Sequence, residues 1–144
     1  MNPTKQRRKS GLVLHIGIFL LLAGSSIYLL FRQKVLFLSW ISPDILALIH
    51  VSTPEPNSNI LIYMLLYCFP DGLWYAALLI LQSSLVNQEK TGKIMLLLSM
   101  LLPFMLEFAQ LFGLIPGTFD CYDLITYLII LILFIPCAKK LLFN

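Results

Sequence analysis

Long apolar stretches alternate with short polar breaks along this chain, and their spacing predicts four membrane-crossing helices. A helix rises about 1.5 Å per residue, so about 20 apolar residues cross a hydrocarbon core about 30 Å thick. The first such stretch runs from Leu12 to Phe31, behind the basic run Lys5, Arg7, Arg8 and Lys9. Leu12–Ala23, followed by Gly24 and Ser25, also has the outline of a cleavable secretory signal. The apolar run continues to Phe31, however, longer than the ~7–15 residues of a signal core, which favours a retained span. After Arg32 the pattern is mixed. Val35–Ile41 is apolar but too short to cross. Ser42-Pro43-Asp44 reads as a helix start, with a capping hydroxyl, a first-turn proline and an acid suited to the helix dipole. It predicts a short interfacial helix over Ile45–Val51, followed by a loop over Ser52–Asn59.

Ile60–Val86 is apolar apart from Pro70-Asp71-Gly72. A straight helix through this stretch would carry Asp71 into the bilayer, at about 2.5–3.5 kcal/mol on insertion scales. The expectation is therefore a break at Pro70, with Ile60–Phe69 packed at the boundary and the second span over Pro70–Val86. A polar hinge over Asn87–Lys93 precedes the third span, Ile94–Phe112, which contains Pro103. Gly113–Phe119 holds a Pro116-Gly117 turn, and the fourth span covers Asp120–Ala138, before Lys139 and Lys140. The fold class is thus an all-α integral membrane protein, a single domain of four transmembrane helices with a short outer interfacial helix after the first.

Composition agrees. Apolar residues make up 59% of the 144 residues and charged residues 12%, against about 45–50% and about 25% in soluble domains. A soluble fold of this size could not hide so much apolar side chain. The net charge of +3 is too small to argue for nucleic acid; the bilayer is the implied partner. Its distribution sets the orientation. With the N-terminus in the cytoplasm, eight basic residues lie inside (Lys5, Arg7, Arg8, Lys9, Lys90, Lys93, Lys139 and Lys140) and two, Arg32 and Lys34, lie outside. Both termini are then cytoplasmic. Six of the seven acids, Asp44, Glu55, Asp71, Glu107, Asp120 and Asp123, fall on or near the outer side, as do Trp40, Trp74 and Tyr122.

The chemistry is carried by those acids. Glu107 sits inside the third span, where a carboxylate is costly unless paired, hydrated or protonated. Gln110 shares its helical face, and Pro103 frees the carbonyl of Ser99 beside it. Glu107 either ties helices together or faces a ligand. Asp120 and Asp123 open the fourth span, where Asp120 can cap the helix and Asp123 suits its dipole. The short turn must bring them close to Glu107 and Gln110. Asp71 and Trp74 join the group if the outer ends of three spans converge. Such a cluster binds a divalent cation, binds a cationic headgroup or shares protons, and the sequence leaves these open. His15 and His50 sit in no metal motif, and Cys68, Cys121 and Cys137 form no CxxC, although Cys68 and Cys121 share the outer side. No Walker loop, GxSxG or GxGxxG occurs. No cofactor is implied beyond that divalent ion, and the balance leans away from an enzyme.

Glu107-Phe108-Ala109-Gln110, followed by Pro116-Gly117-Thr118-Phe119-Asp120-Cys121-Tyr122-Asp123, resembles the second half of the VanZ-like membrane proteins. Their pattern is ExxQ at the end of one span, a Pro-Gly turn, and an aspartate opening the next; Glu107, Gln110 and Asp123 match it. Pro70-Asp71-Gly72-Leu73-Trp74 resembles an earlier aspartate of that family more loosely. Thr118 stands where the family carries an arginine, Tyr127 where it carries an asparagine, and Ile130 where it carries a glycine. The resemblance implies a multi-pass protein of the bacterial inner membrane. Its namesake is associated with resistance to the glycopeptide teicoplanin, and the family has no settled reaction. The leading expectation is an outward-facing pocket of Asp71, Trp74, Glu107, Gln110, Asp120 and Asp123 that engages an envelope lipid, a cell-wall precursor or a glycopeptide. The alternatives are a metal-assisted hydrolase acting on headgroups and an accessory subunit whose acids serve caps and packing. A proton-linked transporter is a weaker one, since four short spans leave little room for alternating access.

Overall fold

In the computed structural model the apolar stretches are helices. The structure describes residues 3–32, 38, 40–51, 59–86 and 90–143. Lys34, Glu55 and Glu89, with most of the loops that hold them, lie outside the described residues. The described elements are α1 (Pro3–Phe31), α2 (Pro43–Ile49), α3 (Ile60–Tyr63), α4 (Phe69–Leu85), α5 (Lys90–Leu111) and α6 (Cys121–Phe143). Four segments are long and apolar enough to cross a membrane: Gly11–Phe31, Ile60–Leu85, Lys90–Leu111 and Cys121–Leu142. The protein is an all-helical, multi-pass membrane protein.

The short helix forms where its signals place it. Ser42 caps α2 by accepting from the Ile45 N–H at 3.4 Å, with Pro43 in the first turn. Ile45, Leu48 and Ile49 are exposed, as suits a helix lying at an interface.

The second span differs from expectation. Pro70 does not break it. Proline has no N–H, so a carbonyl one turn earlier loses its donor. The backbone responds by widening into a π turn over Met64–Cys68, closed by the Phe69 N–H on the Met64 carbonyl, and helix continues from Ile60 to Leu85. The cost of placing Asp71 inside this span is met by partners on α1 rather than by ending the helix, as described below.

This second span, centred on α4, is the middle of the bundle. It packs along α1 on one side and against α5 and α6 on the other. Glycine makes the close approaches. A Cβ at Gly24 would lie 2.5 Å from Trp74 Cδ1 and 3.0 Å from the Pro70 carbonyl, and one at Gly17 would lie 2.6 Å from Leu81. On the opposite face a Cβ at Gly72 would lie 2.6 Å from Thr126. Tyr75, Leu79 and Tyr127 form the core between α4 and α6, and Phe104 of α5 packs edge-on against both tyrosines. The outward faces of α1, α5 and α6 expose apolar side chains such as Phe19, Leu22, Met105 and Leu133, the surface expected of helices solvated by lipid.

α5 ends in a Schellman turn. The Leu114 N–H bonds the Ala109 carbonyl at 2.8 Å and the Gly113 N–H bonds the Gln110 carbonyl at 3.0 Å, with Gly113 at φ 67°. The antiparallel arrangement gathers Arg32, Asp71, Glu107 and Asp120 at one end of the bundle, the carboxylate end. At the other end Lys93 Nζ donates to the Leu142 carbonyl at 2.8 Å.

Candidate functional site

At the carboxylate end the helices line a half-open cavity of about 990 Å³. Asp71, Trp74, Glu107, Gln110, Asp120 and Asp123 all stand on its wall. The turn after α5 supplies Pro116, Gly117 and Thr118. Gly117 sits at φ 141°, and a Cβ there would lie 2.7 Å from the Gln110 side-chain amide. The positive φ therefore favours glycine here, and the Gln110 side chain lies close against the turn.

Glu107 is only 5% exposed, and one of its oxygens accepts the backbone N–H of Asp120 at 3.2 Å. Asp120 in turn accepts the Tyr122 N–H at 2.8 Å, capping α6. The two carboxylates together satisfy donors that the start of a helix leaves open. Glu107 thus ties α5 to α6 and also lines the cavity. Asp120 also accepts the hydroxyl of Tyr63, which stacks on Tyr67 at 5.0 Å.

Asp71 is paired across helices. It accepts the Tyr28 hydroxyl of α1, and its other oxygen lies 3.9 Å from Arg32 Nη1. Arg32 also donates to the Tyr28 hydroxyl and the Tyr67 carbonyl, both at 3.4 Å. Its guanidinium lies over the Tyr28 and Tyr67 rings, 4.9 Å and 4.8 Å from their centroids. Trp74 packs against Tyr28 with centroids 5.1 Å apart. α5 runs through Pro103 as one helix, and the Tyr75 hydroxyl donates to the Met100 carbonyl at 2.8 Å.

Asp123 lies deeper. Its Oδ1 is buried and accepts no hydrogen bond from the described residues. One ligand atom each from Cys68, Asp120 and Asp123 lies within 4.8 Å of the others, a spacing that suits a metal ion. Asp71 is not part of this trio. Cys68, Cys121 and Cys137 are all free thiols, so Cys68 and Cys121 do not pair.

Several wall residues carried no signal of their own in the sequence. Arg32 entered only as an outer charge, yet it is the one basic side chain on the described wall. Tyr28, Tyr63, Tyr67, Tyr75 and Tyr127 looked like ordinary span aromatics; together with Trp74 they give the cavity an aromatic lining. Helical spacing was the available signal: Tyr28 and Arg32 are four apart, as are Tyr63, Tyr67 and Asp71. No family model, curated protein or solved structure matches the chain.

Proposed function

We propose that the cavity binds an amine-bearing group of an envelope component, and that the chain is a VanZ-like protein of the bacterial inner membrane with this cavity facing outward. The observation that carries the reading is the make-up of one wall. It holds four carboxyl side chains, Asp71, Glu107, Asp120 and Asp123, against one guanidinium, and the rest of its polar surface is largely tyrosine and Trp74. Arg32 is already engaged by Asp71, so the surplus charge available to a ligand is negative. Carboxylates and aromatic faces both favour an ammonium ion, and the carboxylates repel a bare phosphate. Envelope lipids, cell-wall precursors and glycopeptides all include members with such an amine. The outward orientation rests on the eight-to-two distribution of basic residues.

The test is calorimetric titration of the purified chain in uncharged detergent with glycerophosphoethanolamine and, separately, glycerophosphoglycerol. Saturable binding of the amine alone is expected, weakened about tenfold or more by Asp123→Asn, since a charge-assisted bond is worth ~1.5–3 kcal/mol. Equal binding of both compounds, or of neither, overturns the reading.

A second reading rests on the Cys68, Asp120 and Asp123 trio. Thiolate and carboxylate donors suit zinc, which would make the site a metal-assisted hydrolase acting on headgroups. Equilibrium dialysis with Zn²⁺ tests it: stoichiometric binding lost in Cys68→Ser supports it, and no binding removes it.

A further inference from the structure

We infer that the cavity takes a whole amphiphile out of the surrounding bilayer, with its amine in the carboxylate chamber and an apolar tail in a slot between α1 and α5. The inference rests on the amine-binding reading above and adds the source of the ligand. The cavity is one continuous space with two chemistries. Carboxylates and tyrosines surround its upper part. Leu21 of α1, Leu78 of α4, and Leu102, Pro103 and Leu106 of α5 line the remainder. Leu78 is seven residues beyond Asp71, and Leu102 is five residues before Glu107. At helical rise the apolar part therefore reaches about 7–10 Å below the acids, towards the middle of the bilayer.

The slot opens sideways. Leu21, Leu102 and Leu106 line the cavity and yet are 42%, 45% and 44% exposed. All three lie inside candidate spans, where the surrounding medium is lipid. The helix packing leaves this opening. α1 is fastened to α4 through Gly17 and Gly24, while α5 reaches α4 through Tyr75 and Phe104. α1 and α5 thus stand on different sides of α4, with the slot between them.

Size and charge select the occupant. An ammonium group with its immediate linker fills a small part of about 990 Å³, a volume at the upper end of pockets that enclose a drug-sized molecule. The apolar remainder offers no partner to a polar ligand and suits a hydrocarbon chain. The carboxylates above it select against lipids whose headgroup is purely anionic. An amine-bearing lipid satisfies both halves at once, and it reaches the chamber from the bilayer without leaving an apolar medium.

Trp74 on the cavity wall reports occupancy once Trp40, the other tryptophan, is replaced by phenylalanine. The full chain in maltoside micelles is titrated with phosphatidylethanolamine brominated on its chains, with brominated phosphatidylglycerol, and with tail-less glycerophosphoethanolamine. The brominated amine lipid is expected to quench Trp74 at about tenfold lower concentration than the brominated glycerol lipid, and to bind at least about tenfold tighter than the tail-less compound. Filling the slot with Leu102→Phe and Leu106→Phe together should remove the advantage of the tail while leaving the tail-less compound unaffected. Leu21→Phe repeats the test from the opposite wall should the double variant fail to fold, and Leu133→Phe on the outward face of α6, away from the cavity, should behave as the parent. Lipid and tail-less compound binding equally, or filled variants that bind lipid as the parent does, overturns the tail slot alone. Filled variants that change the oligomeric state without changing lipid binding overturn it too, in favour of a second copy of the chain seated there. Failure of every amine to bind overturns the amine reading itself.

Discussion

The seam between α1 and α4 makes a graded prediction from three glycines on one helix. Alanine at Gly11 meets nothing within 4 Å, so it should gain the helix preference of alanine over glycine, about 0.5–1 kcal/mol. Alanine at Gly17 meets Leu81 Cγ and Cδ2 at 2.6 Å, but these are side-chain atoms that can turn away. Alanine at Gly24 meets Trp74 Cδ1 at 2.5 Å, Trp74 Nε1 at 2.8 Å and the Pro70 backbone carbonyl at 3.0 Å. Carbon contacts settle near 3.5–4.0 Å, so α1 must move away by about 1 Å. The Pro70 carbonyl cannot rotate aside. Overpacking of this kind costs about 1–3 kcal/mol, and the helix gain offsets only part of it. The same movement would stretch the Arg32–Asp71 pair, already at 3.9 Å, beyond contact. Unfolding in mixed micelles with increasing dodecyl sulfate should rank the variants Gly11→Ala, Gly17→Ala, Gly24→Ala from most to least stable. Gly24→Ala as stable as Gly11→Ala would refute the reasoning, because it would mean that α1 does not rest on α4 at Trp74.

Three further outcomes follow from the carboxylate end. Glu107→Gln keeps an acceptor for the Asp120 N–H and should melt close to the parent, whereas Glu107→Ala leaves that donor unpaired and should lose about 1–3 kcal/mol, read by thermal denaturation in detergent. Gly117→Ala combines a φ of 141° with a clash against Gln110; it should lose about 1–3 kcal/mol in the same assay, and an unchanged melt would show that the turn relaxes freely. Cys121 is exposed and Cys68 buried, so a membrane-impermeant maleimide applied outside intact cells should label Cys121 in a variant lacking Cys137 and spare Cys68; labelling only after lysis would invert the proposed orientation.

The parts of this arrangement that were legible in the sequence are those set by local chemistry. Apolar length marked the four spans, Ser42-Pro43-Asp44 marked α2, and the short turn around Pro116-Gly117 forced Glu107, Gln110 and Asp120 into one neighbourhood. Parts that depend on distant partners were not legible. Insertion cost argued for a break at Pro70, because Asp71 was weighed alone; Tyr28 and Arg32 on another helix change that weighing. The π turn over Met64–Cys68 has no residue signature beyond the following proline. The aromatic wall needed the rotation of each helix about its axis, which hydropathy does not define.

The pairing of Asp71 with α1 also imposes an order on biogenesis. Ile60–Leu85 has the lowest mean hydropathy of the four candidate spans, 1.6 against 1.9–2.2, and it carries a carboxylate at its twelfth position. Its partners, Tyr28 in α1 and Arg32 just after it, leave the ribosome before this segment does. When the reluctant segment reaches the insertion machinery, the side chains that make its entry tolerable are already in the membrane waiting for it. The chain order thus lets a more apolar span act as a membrane-resident template for the least apolar one.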